Sequence, residues 1–406
     1  MKKIIVIIIS SFLFIVFLGA LYFFFFLREG GSETENTVGA PQLLFPEGET
    51  LNPQFGDGSE EQEMQNNNDF GTDFSGVPTA TLIQIAEGGV VSGAVSKTTS
   101  GDTSTTTVRY VLRGTGNIFS YIVEKNERKR ESLTTIPGIR ASYWLPDNRQ
   151  VLQYVSEGIV ESYSSRISGE ALTGAYLPRN LSGVATNRAT PSGIFVLRQT
   201  TSGSAGSVVR PDGSTLREGF STPLSEITVS WPHPDYALVT TKPSGLADGY
   251  AFLVRLGTNV FEKILGPIPG LTALMNDQRT GVVLSRSTTN NFVFGYYDTE
   301  KREITSLPLN TLPEKCVWTT RGDELYCGVP LRTPRGVYPD DWYQGVVSFE
   351  DRIWKFNVVD GYAELVTELT TKTGGAIDVI NPSITEDGTY MIFVDKKTGA
   401  LWGLSL

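Results

Sequence analysis

The sequence predicts an all-β domain, a β-propeller of seven four-stranded blades, preceded by one N-terminal transmembrane helix. Three observations carry this. Residues 81–406 are filled with short segments rich in Val, Ile, Tyr, Phe and Thr, broken by Gly, Asp-Gly and Pro, with no convincing helical period. Within them a hairpin pattern recurs about every 40 to 48 residues. An apolar run occupies Ile4–Leu27, and no second run of that length follows.

The apolar run is interrupted only by Ser10, Ser11, Gly19 and Tyr22. At about 1.5 Å per residue it reaches roughly 36 Å as a helix, enough to cross a hydrocarbon core of about 30 Å with some tilt. A cleaved signal has a shorter apolar stretch and a small-x-small site. Here the run closes with Phe23-Phe24-Phe25-Phe26-Leu27-Arg28 and no Cys for lipidation. Residues 1–27 therefore read as a retained signal anchor. Lys2 and Lys3 precede the span, while Arg28 and Glu29 cancel after it. That bias leaves the N-terminus cytoplasmic and sends the rest outside, a single-pass protein of the cell membrane.

Residues 28–80 carry eleven acids and one base, Arg28, and show no sustained periodicity. Such a segment cannot bury enough apolar surface to offset its ordering entropy, so it reads as a disordered linker. As a flexible coil its r.m.s. span is roughly 40 Å. It also accounts for the charge of the chain. The whole is −10, but residues 81–406 hold 31 bases against 33 acids. A near-neutral domain without a basic footprint argues against nucleic-acid binding.

The recurring hairpin appears six times. Its first strands begin at Phe119, Val160, Ser207, Ala251, Phe292 and Ile353, and its turns fall at Lys125-Asn126, Ser168-Gly169, Asp212-Gly213, Gly257-Thr258, Asp298-Thr299 and Asp360-Gly361. The spacing fits a four-stranded unit that cannot bury both faces alone, and radial packing of such units is a propeller. At the C-terminus, Ser383–Val394 reads as an inner hairpin and Ala400–Leu406 as a third strand, one short of a blade. Thr81–Ala86 is a spare strand that completes this blade if placed outside it, removing an open edge.

The inner turns add a second pattern. Tyr143-Trp144-Leu145-Pro146-Asp147-Asn148 resembles the W-x-P-D-G turn of TolB-like (PD40, WD40-like) propeller repeats. Ser230-Trp231-Pro232-His233-Pro234-Asp235, Val317-Trp318 through Gly322-Asp323, and Ile384 through Asp387-Gly388 look like degenerate versions. The resemblance implies a propeller over residues 81–406 and a habit of binding proteins or peptides. It carries no fixed catalytic set.

Few residues suggest chemistry. Cys316 and Cys327 are the only cysteines; they flank a hairpin with its loop at Arg321-Gly322, in a register that sets them opposite each other. An outside location favours a disulfide there. His233, the only histidine, has no G-x-S-x-G partner and reads as a turn residue. Arg321-Gly322-Asp323 spells an adhesion tripeptide but reads as a hairpin turn. Neither a metal site nor any cofactor is expected.

An insertion lengthens the sixth repeat, running from Gly328 to Gly345. It holds Arg332, Arg335, Tyr338, Asp340, Asp341, Trp342 and Tyr343 among three prolines. Aromatic and Arg side chains on a loop carried by a rigid scaffold are typical of binding surfaces. The opposing reading has Trp342 and Tyr343 folding back to plug the channel while Asp340-Asp341 cap the turn. The expectation is a non-enzymatic envelope module binding a protein or peptide partner. The alternatives are a hydrolase using carboxylates in the propeller funnel and a carbohydrate-binding module.

Overall fold

The computed structural model describes residues 80–406. The expected anchor, and the acidic linker up to residue 79, lie outside the described residues. Among the described residues no helix is long and apolar enough to cross a membrane.

Every strand belongs to one of seven four-stranded antiparallel sheets. The first, β1 (Leu82–Ala86), is followed by blade 1: β2 (Val90–Ser100), β3 (Thr103–Leu112), β4 (Ile118–Ile122) and β5 (Glu127–Arg130). Blade 2 is β6 (Ile139–Trp144), β7 (Gln150–Ser156), β8 (Ile159–Ser168) and β9 (Ala171–Tyr176). Blade 3 is β10 (Leu181–Ala185), β11 (Ile194–Thr200), β12 (Gly203–Val209) and β13 (Thr215–Thr222). Blade 4 is β14 (Ile227–His233), β15 (Tyr236–Thr241), β16 (Asp248–Arg255) and β17 (Val260–Pro269). Blade 5 is β18 (Thr272–Met275), β19 (Gly281–Thr288), β20 (Asn291–Asp298) and β21 (Glu303–Ser306). Blade 6 is β22 (Cys316–Trp318), β23 (Glu324–Pro330), β24 (Asp351–Asn357) and β25 (Tyr362–Glu368). Blade 7 is β26 (Val379–Ile384), β27 (Tyr390–Asp395) and β28 (Leu401–Ser405), with β1 as its outer strand.

The closing strand pairs as the sequence predicts, Leu82 with Leu404 and Gln84 with Trp402. Burial follows position in the blade. In blade 7 all of β27 is buried, so it reads as the continuous run Tyr-Met-Ile-Phe-Val. The outer β5 of blade 1 is fully exposed and charged. A strand covered on both faces needs apolar residues at every position, and an edge strand does not.

The core is seven separate layers. Each large buried cluster is shared by two adjacent blades, and together they complete the ring. Blades 7 and 1, joined last in space but farthest apart in sequence, share Ile85, Val90, Val108, Tyr110, Ile392, Val394 and Leu401.

All six outer hairpins lie where the sequence places them, with one shift. The second arm in blade 1 is expected near Arg130–Thr134 but forms at Glu127–Arg130. A 3-10 turn at Val123–Lys125 and a left-handed Asn126 (φ 51°) tighten the connection. The sequence also gave no sign of two short helices in blade 6 and its exit, α1 (Asp340–Tyr343) and α2 (Leu369–Thr373). Both are held by tertiary contacts rather than by length, since helices this short are unstable alone.

Cys316 and Cys327 are directly paired across β22 and β23 and joined by a disulfide, with Cα atoms 4.1 Å apart. The Arg321-Gly322-Asp323 turn uses the positive φ of Gly322 (75°) and donates the Gly322 N–H to Thr319 O at 3.0 Å. It is docked on blade 5, where Asn276 Nδ2 donates to Gly322 O at 2.9 Å. Arg321 is spent on Asp323 and Glu324. His233 ends β14, and its Nδ1 accepts from Asp235 N at 3.1 Å. Burial, reinforced by Arg279, holds its pKa below the ordinary histidine value.

Ile85 is 5% exposed at the closing seam. Ile85→Ala is expected to cost about 2–5 kcal/mol in urea unfolding, whereas Val260→Ala on the exposed start of β17 should change little.

Candidate functional site

In each blade the chain passes from the second to the third strand through a loop on one common face of the ring. This follows from alternating strand direction: the blade-to-blade connections share that face, and the other hairpin turns lie opposite. The loop has two to six residues in six blades and twenty, 331–350, in blade 6. This strap is what the sequence singled out.

The strap folds back across its neighbours. Gly336 N donates to Asn290 O of blade 5 at 3.2 Å, and Ser287 Oγ donates to Tyr338 O. Asp340 Oδ2 accepts from Gly245 N of blade 4 at 2.6 Å. A Cβ at Gly245 would collide with Tyr338 O, so a residue without a side chain is required at this crossing. On the far side, Lys396 Nζ of blade 7 donates to Trp342 O and sits 4.4 Å from the centroid of the indole ring system.

Beneath the strap lies an eighth apolar cluster of Phe292, Leu312, Tyr338, Trp342 and Phe349. Tyr338 stacks on Phe349 at 5.9 Å and meets Phe292 edge-on at 4.8 Å. Trp342 stacks on the other side of this group, 6.2 Å from Phe349 with an interplanar angle of 15°. Reading Tyr338 and Trp342 as surface anchors is thus corrected. They are 1% and 3% exposed, because packing these large rings over the blade 5–6 junction removes their apolar area from water. Trp342 folds back, as the opposing reading has it, but Tyr343 remains 44% exposed. Asp341 Oδ2 accepts from Val337 N at 2.8 Å and caps the local turn. Asp340 makes the blade 4 contact instead. Arg332 and Arg335 are exposed.

Sequence reasoning missed what locks the strap. Lys315, Asp351 and Asp378 are fully buried together. Lys315 Nζ donates to Asp351 Oδ2 at 2.7 Å, to Asp378 Oδ1 at 2.5 Å and to Val379 O at 3.1 Å, which uses all three protons. Asp378 also accepts from Trp342 Nε1 at 3.0 Å, Ser348 Oγ at 3.0 Å and Phe349 N at 3.1 Å. The three charged residues precede β22, begin β24 and precede β26, so they join blade 6, the return of the strap and blade 7. The sequence does hold one signal: Asp378 is a lone charge inside Ala376-Ile377-Asp378-Val379-Ile380. A charge in such a run stays buried only when paired.

The two carboxylates differ. Burial raises Asp351 to about 6, opposed by Lys315 and reinforced by repulsion from Asp378. Its Oδ2 also accepts from Val379 N at 2.6 Å, while its Oδ1, among the described residues, has no partner. Burial also opposes ionisation of Asp378, but Lys315 and the donors from Phe349 and Trp342 outweigh it and hold its pKa below the usual carboxylate range. Nearby, burial raises Glu314, whose carboxylate accepts from Tyr343 O–H. Burial and that same carboxylate push the phenol of Tyr343 upward. Among the described residues, no group of three or more His, Cys, Asp or Glu side chains could hold a metal ion.

This fold and strap define the class: a seven-bladed β-propeller with one large insertion on the face that carries the blade-to-blade connections. No protein-family model matches the chain, and no curated protein matches it. Among solved structures it is similar to an oligogalacturonate lyase in complex with manganese, at 12% identity and a TM-score of 0.46, over 79% of this chain and 98% of that one. It is also similar to the oligogalacturonate lyase of Vibrio parahaemolyticus, at 12% identity and a TM-score of 0.47 over the same shares, 79% and 98%. The Dos1 propeller resembles it at 10% identity and a TM-score of 0.48, over 80% of this chain and 94% of that one. Such likeness concerns the fold alone.

Lys315→Met leaves two buried carboxylates without a cation and is expected to destabilise the protein by about 3–5 kcal/mol in denaturant unfolding. Asp351 has a pKa raised on folding, so the native state holds the extra proton between pH 4 and 6. Its contribution to stability therefore grows as pH falls from 7 to 5. Urea titrations at the two pH values should show a larger gain on acidification in the wild type than in Asp351→Asn.

Proposed function

We propose that this protein is a membrane-tethered, extracytoplasmic β-propeller that presents a protein- or peptide-binding face, acting as a scaffold of the cell envelope. The strap carries the reading. It is the one long second-to-third-strand loop in a ring whose other such loops have two to six residues. It is pinned to blades 4, 5 and 7, and it still turns Arg332, Arg335 and part of Tyr343 outward. A preformed surface loses little entropy when a partner binds. The apolar run Ile4–Leu27 supports attachment, and the acidic residues 28–80 support a reach of roughly 40 Å from the membrane.

The hydrolase reading has less behind it. Asp340 and Asp341 each accept from a backbone N–H, and Asp351 and Asp378 are sealed from solvent around Lys315. A carboxylate pair cut off from water has no route to a substrate.

The test uses full-length protein in native membranes. External protease on intact cells should degrade the propeller while a cytoplasmic control survives. Affinity purification should recover an envelope protein, and Arg332→Ala/Tyr343→Ala should cut its recovery about tenfold or more. Protection from external protease would reject the location; equal recovery with the variant would reject the strap as the contact face.

A further inference from the structure

We propose that the strap and the middle loop of blade 4 form one docking surface for a polypeptide segment whose apolar side chains are flanked by carboxylates. This rests on the binding-platform reading and names the partner chemistry of that face.

The first observation is a set of exposed apolar side chains on the strap and on the loop bonded to it. Leu246 is 83% exposed, Val346 69%, Tyr343 44% and Val337 37%. Val337, Tyr343 and Val346 are all on the strap, and Leu246 is on the loop to which the strap is bonded. Single exposed apolar residues are ordinary, but a grouped set marks an interaction surface.

The second observation is that the set is held in place. The hydrogen bond from Gly245 N to Asp340 ties the two loops together at 2.6 Å. A Cβ on Gly245 would come within 2.9 Å of Val337 Cγ1, so Leu246 follows directly after the point of contact. The Tyr343 hydroxyl is occupied by Glu314, so the outward part of that side chain is its ring. The cluster of Lys315, Asp351 and Asp378 fixes the other end through Trp342.

The third observation is the direction of the charges. The carboxylates of the strap are turned to internal donors: Asp340 to Gly245 N, Asp341 to Val337 N and Glu350 to Thr370 Oγ1. Its two guanidinium groups, Arg332 and Arg335, are exposed on a limb, 331–339, that contains no acid. The exposed charges of this limb are therefore cationic, in the planar form that pairs well with carboxylates, and on the blade 4 side the exposed acid is Asp248 at the end of its loop. A complementary partner brings apolar side chains for Leu246, Val346 and Tyr343 and carboxylates for the two arginines. A basic segment is repelled at the same place.

The experiment places a photo-crosslinking amino acid at Val346, and separately at Val359, in full-length protein in native membranes. Val359 is 73% exposed on the opposite face, in the turn between β24 and β25. Crosslinked peptides are sequenced. The expected product at Val346 is a protein segment with Asp or Glu flanking apolar residues. Its yield should fall about tenfold in Arg332→Glu/Arg335→Glu, and it should weaken as salt rises from about 0.05 to 0.3 M. Basic or uncharged segments, lipid, a second copy of this chain, or a yield unchanged by charge reversal would each overturn the proposal. Products at Val359 alone would overturn it and leave the platform reading standing. An absence of products at both sites would remove both.

Discussion

Every blade here is a sheet with two apolar faces, and neither can be left in water. A four-stranded antiparallel sheet in isolation can hide neither. Packing blade on blade hides both, but only if the series closes; otherwise the first and last blades keep an open face. Seven inter-blade layers with no end to them are the solution this chain reaches. Closure is made by a strand from the beginning of the domain. β1 hydrogen-bonds to β28, so the outermost sheet edge at the seam is formed by the chain's first strand rather than its last. All other features, including the position of the strap, depend on that ring being rigid.

The strap shows a second constraint at work. Its buried rings contribute apolar area, but they sit over three charges with no access to water. A buried ion pair often adds little net stability, since desolvation offsets attraction. What it does here is specific. Lys315 has three protons and finds three acceptors, and the acceptors come from two different chain segments. Only one placement of the strap return and the blade 7 connection satisfies them. The network ties the strap return to the blade 7 connection, and among the described residues Asp351, with one oxygen unpartnered, is its least satisfied member.

A rigid ring and a pinned strap suit recognition. In the proposed binding role, a strap pinned to blades 4, 5 and 7 would spend less of the contact energy on ordering. The proposed placement beside a membrane would restrict which partners are within reach.

The repeat, the blade count and the paired cysteines were legible because they rest on local rules, and the closing strand because a spare strand at one end matched a blade one strand short at the other. Alternation, turn residues and register are fixed within a hairpin, and a hairpin is contiguous in sequence. Cys316 and Cys327 are eleven residues apart and needed only the position of one turn. The roles of Tyr338 and Trp342 were not legible. Aromatic residues in a long loop look the same whether they face water or a neighbouring blade, and the difference is set by Phe349 on the strap's own return together with Phe292 and Asp378, which are far away in the chain. Likewise nothing local links Lys315 to Asp351 and Asp378, 36 and 63 residues further on. The sequence alone determined an all-β ring of seven blades with one large insertion. Only the tertiary structure decided which side of that insertion faces inward, because burial and charge pairing there are settled by contacts between blades.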